Sequence, residues 1–269
     1  MQSNTIRFIA IVGIIGLGLT IPLKVALADS QSFKFKELSA ERQQFALSIP
    51  TSNPTHPTTN KPEPDTTGGN FKELSAEWEQ WALQIPTPVN PELDTTGANC
   101  MVGQHGSEWF LAGTFGGGSA TRTCAVPEDK LLFFPVINSV NINTPNVCGQ
   151  GPASLSVKDL RASSAAFIDG ATNLSVEVDG KTIKNLRRVR SQVFEIALPE
   201  DNVFDAPCIG AGLGNVPAGI YSPAVDDGFY VGLELEVGPH TLRIHAENPS
   251  AGFTLDVTYK LTVVSVVQK

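Results

Sequence analysis

From Phe229 to Val263 the chain alternates with a period of two. Phe229, Val231, Leu233, Leu235 and Val237 interleave with Tyr230, Gly232, Glu234 and Glu236. The same period returns at Leu242, Ile244 and Ala246 against Arg243, His245 and Glu247. It returns again at Phe253, Leu255, Val257, Tyr259, Leu261 and Val263 against Asp256, Thr258 and Lys260. Successive side chains of a strand point to opposite faces, so one apolar side and one polar side describe strands laid on a core and wetted outside. Three such segments in a row predict a meander, with the earlier strands supplying an opposing layer. The fold class expected is all-β, an antiparallel β-sandwich of jelly-roll or immunoglobulin-like type.

The segments before it fit that layer. "EWFLAGTF", "ATRTCAV" and "KLLFFPVINSV" read as strands separated by Gly116-Gly117-Gly118 and Pro127-Glu128-Asp129. Between "LSVEV" and "KTI", Asp179-Gly180 is a two-residue hairpin turn, because Asp-Gly readily supplies positive φ. Ser156 to Ile168 reads as one short internal helix, with Ser156 and Asp159 placed as a capping box.

"FKELSAE" occurs at 35–41 and again at 71–77. In the second copy Ser75 caps a predicted helix over 75–85, whose Trp78, Trp81, Ala82 and Ile85 form one apolar face. The first copy has Arg42 and Phe45 where the second has Trp78 and Trp81, so the second is the docking helix. Residues 50–70 between them hold five Pro and six Thr, the composition of an extended linker. "DTTGGN" at 65–70 is echoed by "DTTGAN" at 94–99, but the spacing falls from 36 residues to 29 and no third unit follows. Stacked-repeat architectures need three or more units of steady period, so this is a local duplication. The expected organisation is a leader over 1–28, a degenerate first copy and disordered linker over 29–70, and one β domain over 71–269.

The leader reading rests on Arg7, an apolar run from Phe8 to Leu23 broken by Pro22, and Ala26-Leu27-Ala28 as a small-x-small cleavage site. Cleavage there predicts a secreted or periplasmic protein with no membrane span. It removes Arg7 and Lys24 and no acids, taking the net charge from −8 to −10. So acidic a chain disfavours nucleic acid as a partner. Cys100, Cys124, Cys148 and Cys208 form no C-x-x-C, so neither a zinc knuckle nor a redox dithiol is indicated. In an exported chain they read as two disulfides, and loop length favours pairing neighbours.

"WEQWALQIPTPVNP", "WFLAG", "RTCAVP", "FFPVINSVNINTPN" and "GIYSPAVDDGFYV" together resemble a family of exported microbial proteins of unassigned function, over about residues 71–264. The resemblance implies one structural unit and transfers no activity.

Several residues carry chemistry that deserves a test. His105 and Glu108, in "GQHGSEWF", are near enough to serve as base and acid of a hydrolase or lyase, or as metal ligands. Asp226 and Asp227, in Asp-Asp-Gly, offer oxygen ligands for Ca²⁺, as do the asparagines from Asn138 to Asn146. Lys181, Lys184, Arg187, Arg188 and Arg190 are a candidate anion-binding patch. Tyr221 and Tyr230 are the aromatic candidates for ligand contact, whereas Trp78, Trp81 and Trp109 read as core. His240 and His245 fall on opposite faces of a strand and cannot share an ion. "GAGLGNVPAG" opens no helix and is no dinucleotide loop, and no nucleophile-elbow or zincin motif occurs. The leading expectation is a non-catalytic protein binding a polysaccharide or envelope partner; the alternatives are the hydrolase and a structural Ca²⁺ protein.

Overall fold

The structure is a computed structural model and describes residues 68–265. The leader, the first "FKELSAE" copy and the linker as far as residue 67 lie outside the described residues.

Helix α1 (Gly68–Gln84) starts well before Ser75, and the expected cap is an interior residue whose Oγ donates to the Lys72 carbonyl. The apolar stripe explains the extension, because Phe71 and Leu74 continue it one turn upstream. The Phe71 ring meets Phe133 edge-on at 5.3 Å, and Trp81 lies 5.6 Å from Phe110. Both α1 indoles also donate from Nε1, Trp78 to the Leu111 carbonyl and Trp81 to that of Val102, each at 3.0 Å. The end of the helix is closed by Asn90, fully buried, whose amide donates to the Ala82 and Ile85 carbonyls at 2.8 Å. Those carbonyls have no partner within the helix, so Asn90 acts as a side-chain cap.

The remaining elements are β1 (Glu108–Phe110), β2 (Gly118–Pro127), β3 (Leu131–Ile142), α2 (Val157–Ile168), β4 (Thr172–Val178), β5 (Lys181–Thr182), β6 (Arg187–Arg190), β7 (Phe194–Leu198), α3 (Asp205–Gly210), β8 (Gly219–Leu233), β9 (Gly238–Asn248) and β10 (Phe253–Val264). Two five-stranded sheets result. In the first, the order is β1-β3-β8-β6 with β7 also on β8; in the second it is β2-β10-β9-β4-β5. Ser156 caps α2 as expected, accepting from the Asp159 amide, and Asp179 and Gly180 turn β4 into β5 with φ of 51° and 76°. The short α3 was not foreseen.

The protein is thus mostly β, but not purely antiparallel. β1 runs parallel to β3 and β2 parallel to β10. The first four strands alternate between the sheets, so β2 leaves for the second sheet before β3 returns to the first, and such crossovers permit parallel neighbours. The expected meander is also divided: β9 and β10 pair antiparallel, whereas β8 lies in the other sheet and ends at Leu233. One apolar cluster draws on both sheets, with Trp109, Leu132, Phe134 and Val231 meeting Val126, Leu242, Val257 and Leu261. A second lies between α1 and the first sheet, around Trp78, Trp81, Phe110, Phe133 and Tyr230. The first sheet is therefore covered on both faces. Among the described residues no helix is long and apolar enough to cross a membrane.

The four cysteines pair as neighbours, Cys100 with Cys124 and Cys148 with Cys208. The second bridge ties the loop after β3 to α3. Two disulfides are compatible with an extracellular or periplasmic location.

Candidate functional site

The most polar part of the interior is where β3 crosses β8. Their register sets Asn138 opposite Gly228, Ser139 opposite Asp227 and Val140 opposite Asp226, just past an irregularity between Pro135 and Ile137. Gly228 is needed there. A Cβ on it would stand 2.8 Å from the Asn138 Cβ, the Ile137 carbonyl and the Tyr230 ring.

On the face toward α1 lies a buried acid pair. Glu79 of α1 is 1% exposed and Asp226 of β8 is 0% exposed. Asn138 Nδ2 donates to Glu79 Oε1 at 2.7 Å, and the Tyr230 hydroxyl donates to Asp226 Oδ2 at 2.8 Å. The two carboxyl groups are themselves hydrogen-bonding neighbours. The Ser139 backbone amide also favours the ionised Asp226 carboxyl, whose Oδ1 is left without a hydrogen-bond partner. Burial is the largest influence on both: it pushes Glu79 well above the carboxylate range and Asp226 up to about 7. Tyr230 is raised as well, chiefly by burial and then by Asp226 and Glu79.

The opposite face of the same strand holds a charge network. Asp227, 2% exposed, accepts from Arg188 Nε at 2.9 Å, Arg188 Nη2 at 3.0 Å and Arg190 Nε at 3.2 Å. Arg188 also donates to Asp169, just past α2, at 2.7 Å. Nearby, Asn141 Nδ2 donates to Ser164 Oγ of α2 at 2.8 Å.

These placements revise the expectations for Asp226, Asp227 and Tyr230. Asp226 and Asp227 lie in the middle of a strand, so their adjacent carboxylates point to opposite faces and do not converge on one Ca²⁺. Tyr230 is fully buried, since its strand is covered on both sides. Tyr221 is half-buried and donates to the Pro217 carbonyl at 2.7 Å. The five cations are not one free patch: Arg188 and Arg190 serve Asp227, and Arg187 lies 4.8 Å over the Phe71 ring. Lys181 and Lys184 are exposed in and after β5. Asn143, one of the asparagines considered as a calcium ligand, instead accepts from Gln150 and from the Leu155 amide.

His105 is exposed in the loop before β1, and Glu108 is half-buried and accepts from Ser107 Oγ at 3.0 Å. Both act electrostatically on exposed Glu77 of α1, whose carboxyl is raised slightly, first by partial burial and then by Glu73 and Glu108. Among the described residues none hydrogen-bonds the His105 imidazole. His240 bonds Asp179 at 2.7 Å, and His245 bonds Asp256 at 2.6 Å on the outer face of β9. Among the described residues no group of three His, Cys, Asp or Glu side chains is placed to hold a metal ion.

The outer face of the second sheet is built differently. Helices α1 and α2 pack against strands of the first sheet. The register then aligns outward side chains in rows across four strands: Ser119, Asp256, His245 and Ser175 in one, Thr121, Thr258, Arg243 and Glu177 in the next. Every one is exposed or half-buried.

Glu79 escaped notice in the sequence, as did Arg122. The Arg122 side chain is 1% exposed and donates to the Asp94, Ala112 and Gly113 carbonyls, with its guanidinium 5.3 Å from the Tyr259 ring centre. It also partly offsets the burial that raises half-buried Glu92 to about 7. A clue to Glu79 did exist: the first copy has Gln43 at the matching position. No protein-family model matches the chain, and no curated protein or solved structure matches it either.

Proposed function

We propose that the protein is an exported, non-catalytic β-sandwich that binds a polysaccharide of the envelope or surroundings on the outer face of β2, β10, β9 and β4. The observation that supports this is the row arrangement: hydroxyls and charges from four neighbouring strands stand at matched heights on a sheet face that no described helix covers. Such a face offers donors and acceptors at the strand spacing of about 4.8 Å, suited to a polymer rich in hydroxyls. Non-catalytic is the better reading because Glu79, Asp226 and Tyr230 are buried and hydrogen-bonded inside the fold, while Glu108 bonds Ser107 Oγ and not His105.

The test is affinity electrophoresis of the full mature chain in gels containing host polysaccharides. The variant T121A/T258A/R243A removes three members of one row and leaves the core untouched. Retention should fall at least about tenfold with little change in melting temperature, because surface substitutions of this kind move stability by about 0.5 kcal/mol each. Equal retention of variant and parent, or no retention of the parent on any host polymer, overturns the reading.

A further inference from the structure

We propose that the carboxyl pair of Glu79 and Asp226 is a proton-dependent clamp that fastens α1 to the first sheet, closed while the pair shares one proton and loosened when that proton is lost.

The orphaned oxygen is the starting point. Asp226 is completely buried, Tyr230 occupies its Oδ2, and its Oδ1 lacks a donor. A buried acceptor without a donor is costly. The hydrogen-bonding neighbour is the Glu79 carboxyl, and a carboxyl donates only when protonated. A proton on Glu79 therefore satisfies Asp226 Oδ1, while Asn138 satisfies Glu79 Oε1. With both groups ionised, two buried negative charges would face each other across the joint between helix and strand.

Among the described residues the charges that act most on the pair are negative, and Arg187, the β6 cation on the α1 side, lies over the Phe71 ring. The other charge acting on Glu79 is Glu92, from the segment after α1, and the other one acting on Asp226 is Asp227, its neighbour in β8. Arg188 and Arg190 of β6 are bonded to Asp227 on the opposite face, and Arg122 of β2 acts on Glu92. Tyr230 is neutral and already donates. β6 contributes the apolar Val189 to the cluster on the α1 side.

The sign follows from linkage. A carboxyl whose acidity is weakened by folding contributes stability that is fully present below about pH 4, where unfolded carboxyls are also protonated. That contribution is lost as pH rises through the folded value, about 7 for Asp226. His240, raised mainly by its bond to Asp179, and Glu92, raised to about 7, slope the same way. The comparison of variants, not the parent's slope alone, isolates the pair.

The experiment compares the full mature protein with E79Q, which keeps the acceptor for Asn138 and removes the second charge. Melting temperature, and the emission of Trp78 and Trp81 on α1, are followed from about pH 5 to about pH 9. The parent should lose melting temperature and shift its emission to the red as pH rises. E79Q should show a smaller loss, with a shallower slope corresponding to about one proton fewer released. Identical slopes in the two proteins overturn the clamp. If E79Q fails to fold, hydrogen exchange of the parent decides: α1 amides, corrected for intrinsic rate, should lose protection with pH faster than those of β9 and β10. Uniform loss overturns the proposal.

Discussion

Replacing Asp227 by Asn keeps its size and removes its charge, and the network around it fixes how much that should cost. Three guanidinium contacts reach this carboxylate, two of them the parallel pair from Arg188. The Asp227 side chain is 3% exposed and that of Arg190 is 62% exposed. An ion pair with so wet a partner contributes under about 1 kcal/mol. Arg188 is 31% exposed, so its charge is only partly withdrawn from water. Breaking a fully buried pair costs about 3–5 kcal/mol. Here Arg188 retains Asp169 and some solvent, which brings the expectation to about 2–3 kcal/mol. The matched control is D169N. That carboxylate is 64% exposed and touches the same arginine, so its loss should cost under about 1 kcal/mol. Urea unfolding of the disulfide-bonded protein, read at unchanged m-value, measures both. A D227N cost no greater than that of D169N would refute the reasoning, for it would mean that burial of Asp227 does not strengthen the pair.

Two further outcomes follow from geometry elsewhere. Cys148 and Cys208 are 60 residues apart and Cys100 and Cys124 are 24 apart, so C148S/C208S should lose about 4 kcal/mol and C100S/C124S about 3 kcal/mol in urea unfolding; the reverse order would count against loop-closure entropy as the cause. Gly97 has φ of +94° and packs on the backbone of Thr123, where a Cβ would stand 2.5 Å from the carbonyl oxygen. G97A should therefore cost about 2 kcal/mol or more and free the edge of β2, visible as faster exchange of the Thr123 amide, which donates to the Thr96 carbonyl.

Period-two alternation was enough to find β9 and β10, because their outer face is wet and their inner face oily. It could not say which sheet a strand joins, since alternation reports faces and is silent about partners. β8 shows the limit. Tyr230 belongs to the polar half of its alternation, yet it is buried, because α1 covers that side of the sheet. The same covering makes Asp226 an interior charge, while Asp227 is buried on the opposite face beside Arg188. Glu79, Arg188 and Arg190 reach them from far away in sequence, and no local pattern marks such meetings. Local signals fared better: the Ser156 cap and the Asp179-Gly180 turn depend on backbone geometry a few residues wide.

The duplicated segment clarifies what makes α1 dock. Phe71, Leu74, Ala82, Leu83 and Ile85 have identical counterparts at Phe35, Leu38, Ala46, Leu47 and Ile49, so most of the apolar stripe is common to both copies. Apart from exposed Gln84, which is Ser48 in the first copy, the differences fall on three side chains that make polar contacts beneath the helix. Trp78 fills a buried site and donates to Leu111; Arg42 there would bring a charge into an apolar cluster, at a cost of several kcal/mol unless paired. Trp81 donates to Val102, and Phe45 has no hydrogen to give. Glu79 reaches Asp226 and Asn138, whereas Gln43 carries no titratable proton. Hydrophobic pattern alone would let either copy lie on the sheet. Two indole N–H groups and one carboxyl make the site specific for the second, and that carboxyl is the one whose proton the neighbouring strand requires.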